Sequence, residues 1–135
     1  MKKYTQEEFD AIPRDEQGVK QCPTGDYTAI TRFGEWCSFG EWCSFGEWCS
    51  FGEGCRFGEG CSHEGLTNTR YIAVDRIGSS NRKTYFFLAD EGYFVRAGCY
   101  FGKMSDFIKR VKEVHAGTKH EKAYLAATRL AKILL

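Results

Sequence analysis

From Phe33 to Ser62 the chain repeats one hexad five times without insertion: FGEWCS three times, then FGEGCR and FGEGCS. No other feature restricts the fold as much. A period of six is even, so an extended backbone returns equivalent side chains to one face in every copy. On a helix, six residues advance about 600°, and the Phe stripe would smear round the axis. A single flat strand is excluded as well, because strands rarely exceed about 10 residues. The chain must therefore bend within each copy. The Gly after each Phe is the expected place for that bend, and the predicted outcome is a strand coiled into a short solenoid.

Phe recurs at 33, 39, 45, 51 and 57, with Gly directly after it and Cys four residues on, at 37, 43, 49, 55 and 61. An apolar residue, a small one after it and a small one four later resemble the hexapeptide repeat of left-handed parallel β-helices. That resemblance implies three hexads per coil. Residues 18 apart then stack: Phe33 on Phe51, Phe39 on Phe57, Cys37 on Cys55 and Cys43 on Cys61. The family usually buries Ile, Val or Leu, and three Phe per layer predict crowding or a wider cross-section. Many hexapeptide proteins are acyltransferases. They need more coils and a catalytic His between subunits, and His63 is the one His near these repeats. The fold alone carries no activity.

The seven Cys have three readings. Core packing is favoured, since Cys is small and commonly buried. Metal binding is disfavoured, because the spacing is C-x5-C rather than that of zinc sites. Disulfides between stacked coils are geometrically feasible but opposed by a reducing cytosol. Neither a metal nor a cofactor is therefore expected.

With Phe and Cys turned inward, Trp36, Trp42 and Trp48 fall outside or at corners, together with Glu35, Glu41 and Glu47, and Glu53 and Glu59 after them. Copies four and five carry Gly54 and Gly60 in place of Trp. One reading is that Trp36 covers Gly54 and Trp42 covers Gly60. The other is an exposed aromatic and acidic surface for a partner, with Trp36, Trp42, Trp48, Glu35, Glu41 and Glu47 as its binding residues.

Charge divides along the chain. Residues 33–65 hold six Glu and one Arg, net −5, whereas residues 66–135 hold 13 Lys or Arg against six Asp or Glu, net +7. The total is only +1, so whole-chain charge names no partner. Division on this scale suggests an acidic partner for the second half or self-association, but the favoured reading is two ordinary solvated faces. The basic residues lack the interleaved aromatics of nucleic-acid motifs, and direct nucleic-acid binding is disfavoured.

Residues 70–97 read as a three-stranded meander with turns at Gly78-Ser79-Ser80-Asn81 and Asp90-Glu91-Gly92. Val95–Ser105 echoes the hexad and is read as continuing its register or covering its end. Two helices follow. Ser105 is the expected N-cap of the first, with Phe107, Ile108, Val111 and Val114 as its apolar stripe. Thr118-Lys119-His120-Glu121 is a capping box for the second, with Tyr124, Ala127, Leu130, Ala131 and Leu134 as its stripe. The expected class is thus α+β, mainly β: a short hexapeptide-repeat β-solenoid, a three-stranded meander and two C-terminal helices. The segments are 1–26, an N-terminal helix and turn cap; 27–65, the solenoid; 66–104, the meander; and 105–135, the helical pair, all in one compact unit.

Ile77-Gly78-Ser79, Gly98-Cys99-Tyr100-Phe101-Gly102, His115 and Tyr124 resemble a module of small phage and prophage proteins. Several of these also carry Phe-Gly-Glu-x-Cys repeats upstream. The resemblance implies context rather than chemistry. No paired carboxylates, activated nucleophile or phosphate loop is present, so an enzyme is not expected. The expected function is a non-enzymatic phage-type protein that binds and inhibits a host macromolecule, in the manner of an anti-CRISPR protein. Its partner is then a host protein or nucleoprotein complex. The alternative is a structural, self-assembling phage protein forming homo-oligomers, and third comes a small-molecule or metal binder. Met1–Glu8 has no apolar segment behind its lysines, and no run is long enough for a membrane span. The expected location is the host cytoplasm, with no membrane partner.

Overall fold

The computed structural model describes residues 1–135. The fold is α+β, in two compact units, Met1–Thr69 and Arg70–Leu135.

The first unit opens with helix α1 (Gln6–Asp10). Thr5 caps it in a complete capping box: its Oγ1 accepts from Glu8 N at 3.1 Å, and the Glu8 carboxylate accepts from Thr5 N at 3.1 Å. Seven short strands follow: β1 (Lys20–Cys22), β2 (Asp26–Tyr27), β3 (Arg32–Gly34), β4 (Cys37–Phe39), β5 (Ser44–Phe45), β6 (Ser50–Phe51) and β7 (Arg56–Phe57). They join as three parallel ladders, β1-β4-β7, β2-β5 and β3-β6. Asp26 faces Ser44, Arg32 faces Ser50 and Ser38 faces Arg56, each 18 residues on. A further bridge joins Ser44 to Ser62. The ladders begin at Lys20, and an isolated parallel bridge joins Lys3 to Asp26, so pairing starts before the hexad repeat itself.

The predicted crowding of three Phe per layer does not arise, because the rings meet edge to face. Tyr27, Phe33 and Phe39 form one triangle, with centroids 5.3–6.2 Å apart and planes inclined 73–83°. Phe45, Phe51 and Phe57 form the next, at 5.0–5.4 Å and 86–88°. Edge-to-face contact sets a positive ring edge against a negative face, which favours this arrangement over a face-to-face sandwich. Between the triangles the rings lie nearly parallel, Phe33 on Phe51 at 4.8 Å and Phe39 on Phe57 at 5.3 Å. Both ends of the aromatic column are closed. Tyr4 stacks on Tyr27 at 4.7 Å, Phe9 of α1 meets Phe33 edge-on at 5.2 Å, and His63 stacks on Phe45 at 4.7 Å. Buried Lys20 braces α1, donating from Nζ to the Phe9 carbonyl at 2.9 Å.

Position two of the hexad was expected to make the bends, and that expectation needs correction. Only Gly34 among these glycines has a positive φ, +74°. At Gly52 a Cβ would lie 2.8 Å from Glu35 N, and at Gly58 it would lie 2.6 Å from Glu41 N. These glycines let the neighbouring backbone approach. The left-handed corner is made two residues later, by Trp36, Trp42, Trp48, Gly54 and Gly60, at φ from 55° to 77°.

The second unit is a four-stranded antiparallel sheet in the order β11-β10-β9-β8. Its strands are β8 (Arg70–Ile77), β9 (Arg82–Ala89), β10 (Gly92–Ala97) and β11 (Tyr100–Lys103). The meander thus gains a fourth strand. Val95–Lys103 does not continue the hexad register but turns at Gly98-Cys99 and pairs with itself, Val95 facing Gly102.

Helices α2 (Met104–Val114) and α3 (Lys119–Leu134) follow. The N-cap of α2 is Lys103, without a side-chain hydrogen bond, in place of the expected Ser105. Thr118 caps α3 as expected, but the Glu121 carboxylate reaches Gly117 N rather than Thr118 N. The core joins Ile77, Phe86 and Val95 of the sheet to Met104, Phe107, Val111, Ala127 and Ala131. Val114, Leu130 and Leu134 were expected on the apolar stripes but are exposed. The small Ala127 and Ala131 let α3 approach closely, and its contact face centres on them.

Candidate binding surface

Each hexad corner is a Glu followed by Trp or Gly. Glu35, Glu41, Glu47, Glu53 and Glu59 are all exposed. Trp36, Trp42 and Trp48 are 47%, 60% and 45% exposed, well above what a buried indole retains. Their backbone is pinned by chain 16 or 17 residues further on. Trp36 N donates to Glu53 O and Trp42 N to Glu59 O, each at 2.8 Å. At the third corner the acceptor is a side chain, as Trp48 N donates to Glu64 Oε2 at 2.8 Å.

The indoles also cover what lies beneath. A Cβ on Gly54 would stand 2.7 Å from Trp36 Cδ2, and one on Gly60 would stand 2.6 Å from Trp42 Cδ2. At Trp36 and Trp42 covering and exposure therefore hold together: one face of each ring seals a glycine and the rest meets solvent. An L-residue at positive φ costs roughly 1–2 kcal/mol, so three Trp occupy a conformation that Gly adopts freely at two equivalent corners.

The thiols face the other way. Cys22, Cys37, Cys43, Cys49 and Cys61 are buried, Cys55 is half-buried and Cys99 is exposed, and all seven are free. Cys43 and Cys49 donate to the carbonyls of Gly40 and Gly46, each at 3.2 Å. Cys43 also hydrogen-bonds Cys61. That contact, with burial, holds Cys43 protonated above the usual thiol range. No three His, Cys, Asp or Glu side chains come together as a metal-ligating group. His63 occupies the Phe position of a degenerate sixth hexad, 2% exposed, with Nδ1 hydrogen-bonded to Thr69 Oγ1.

Sequence reasoning placed the Trp and Glu residues but missed Glu64. The available signal was the loss of the hexad at His63-Glu64, where Glu replaces Gly. At Trp48 the Glu64 carboxylate takes the place that Glu53 O and Glu59 O hold at the first two corners. No known protein family, curated protein or solved structure matches the chain.

Proposed function

We propose that the chain is a non-enzymatic, phage-type binding protein that occupies a host protein or nucleoprotein complex and inhibits it, in the manner of an anti-CRISPR protein. One observation carries this reading. Three Trp stand half-exposed in a row of exposed Glu, in a left-handed conformation that Gly54 and Gly60 meet without strain. Backbone geometry does not require Trp there, and aromatic anchors are what interfaces use. The 18-residue ladders and stacked aromatic triangles support a short β-solenoid of three hexads per coil as the scaffold. Its acidic rim suits a partner with a basic surface, such as a nucleic-acid-binding protein. Seven free thiols suit the reducing cytoplasm of a bacterial host. No helix is long and apolar enough to cross a membrane.

The test is capture from a bacterial lysate under reducing conditions, read by native mass spectrometry. A host macromolecule retained at fixed stoichiometry, and lost in Trp48→Gly, supports the reading when circular dichroism shows the variant folded. Retention unchanged by Trp48→Gly, Glu41→Gln and Glu47→Gln together refutes it. A second reading, self-assembly, draws on the division of charge between residues 33–65 and 66–135. It predicts concentration-dependent oligomers that dissolve as salt rises.

A further inference from the structure

Within the second unit a cavity of about 280 Å³ opens between the sheet turns and the two helices. The residues singled out at the Gly78-Ser79 turn, the Gly98-Cys99-Tyr100 step, His115 and Tyr124 converge on it, although they are far apart in sequence. The solenoid and its corners make no use of them.

The chemistry of this cavity is one-sided. Arg82, Arg110 and His115 line it, and no Asp or Glu does. Neither arginine is in an ion pair. Arg110 lies 5.8 Å from the centroid of the Tyr100 ring. Asp106, one turn earlier on α2, acts on the Tyr100 phenol but is not part of the lining. Two unpaired guanidiniums at one concave site are suited to a planar or tetrahedral oxyanion, which they bind by charge-assisted forks.

Aromatic rings line the same cavity. Phe107 is buried in the core, and Tyr124 meets it edge-on at 5.2 Å. The His115 ring lies 5.8 Å from Tyr124. Two glycines seat side chains of this lining: a Cβ on Gly98 would come within 3.0 Å of an Arg82 guanidinium nitrogen, and one on Gly78 would stand 2.7 Å from Tyr124 Cζ. An aromatic wall beside convergent polar groups is the usual make-up of a small-ligand site.

We propose that this cavity binds a small phosphate monoester of a flat, apolar body. Arg82 and Arg110 hold the phosphate, and the aromatic body lies against Phe107, Tyr100 and Tyr124. The volume admits a ligand of mononucleotide size or smaller and excludes a polymer from its interior. The proposal is independent of the Trp corners, which belong to the other unit.

Phenyl phosphate is the probe, titrated into the full-length protein by calorimetry, with phenol and inorganic phosphate titrated separately. Phenyl phosphate is expected to bind at least tenfold more tightly than either fragment. Arg82→Gln and Arg110→Gln are each expected to weaken it about tenfold or more, because each removes a charged hydrogen-bond donor. Amide shifts in the unsubstituted protein should centre on Gly98, Arg110 and His115, which keeps the test intact if a variant fails to fold. Phenol or inorganic phosphate binding as tightly as phenyl phosphate overturns the proposal. So do unchanged affinity in both folded variants, amide shifts centred elsewhere, and no binding at millimolar concentration.

Discussion

Gly54→Ala separates two effects that the hexad corner combines. Gly54 has φ +74°, so any L-residue there pays a conformational cost of roughly 1–2 kcal/mol. Its Cβ would also stand 2.7 Å from Trp36 Cδ2, so the indole must leave its seat. Trp36 is 47% exposed, which leaves about half of a large aromatic surface covered. About 100 Å² at about 25 cal/mol/Å² gives at most ~2.5 kcal/mol for losing that cover. The full substitution should therefore cost about 3 kcal/mol. Gly34→Ala supplies the control, because Gly34 has the same φ of +74° with no atom within 4 Å of a Cβ. It should cost about 1 kcal/mol. In a Trp36→Gly background there is no indole to displace, and Gly54→Ala should fall to the control value. The coupling energy of the cycle is then about 2 kcal/mol. Urea unfolding followed by far-ultraviolet circular dichroism measures it without relying on tryptophan emission. Additivity within about 0.5 kcal/mol, or equal costs for Gly54→Ala and Gly34→Ala, would refute the claim that Trp36 seals Gly54.

Other outcomes follow from the core and the thiols. Phe51, 4% exposed and in contact with Phe33, Phe39, Phe45 and Phe57, should cost about 3–5 kcal/mol when replaced by Ala. A denaturation midpoint within error of the parent would contradict the aromatic column. Under native conditions Ellman's reagent should modify Cys99 first and Cys55 next, whereas Cys22, Cys37, Cys43, Cys49 and Cys61 should react only on unfolding; mass mapping of the labelled peptides checks the order. Alkaline pH should unfold the protein. Burial raises the Tyr27 phenol above its ordinary value of 10, and a hydrogen bond with the Cys22 thiol raises Cys37 above its ordinary value of 9. The unfolded chain loses these protons first, so the stabilisation is complete below pH 9 and declines above it. Each such group contributes a slope of about 1.4 kcal/mol per pH unit. Stability that stays flat from pH 8.5 to 11 would contradict their burial.

The hexad period alone determined much of the first unit. An even repeat forces an extended chain with constant facing, and Phe33, Phe39 and Cys43 could be assigned inward from spacing. The stacking of Trp36 over Gly54 followed from the same count of 18 residues. Strands β8 to β10 and the Thr118 cap were legible for a similar reason, since turn and cap signals are local. What the tertiary structure decided concerns distances between successive hexads and between elements. Ring orientation is not written in the sequence, and only packing showed that three Phe fit a layer by meeting edge to face. Both Gly and Trp can occupy a corner on paper. The close approach of Glu35 N to Gly52 assigns the Gly to backbone contact and leaves the bend to Trp36 and its equivalents. Leu130 and Leu134 obey helical periodicity yet lie outside, because a face is buried only where a neighbour covers it. Arg82, Arg110 and His115 carry no shared motif, and only the fold brings them to one cavity. Local patterns determine which way a residue points; which atoms it meets depends on chain that returns from far away in sequence.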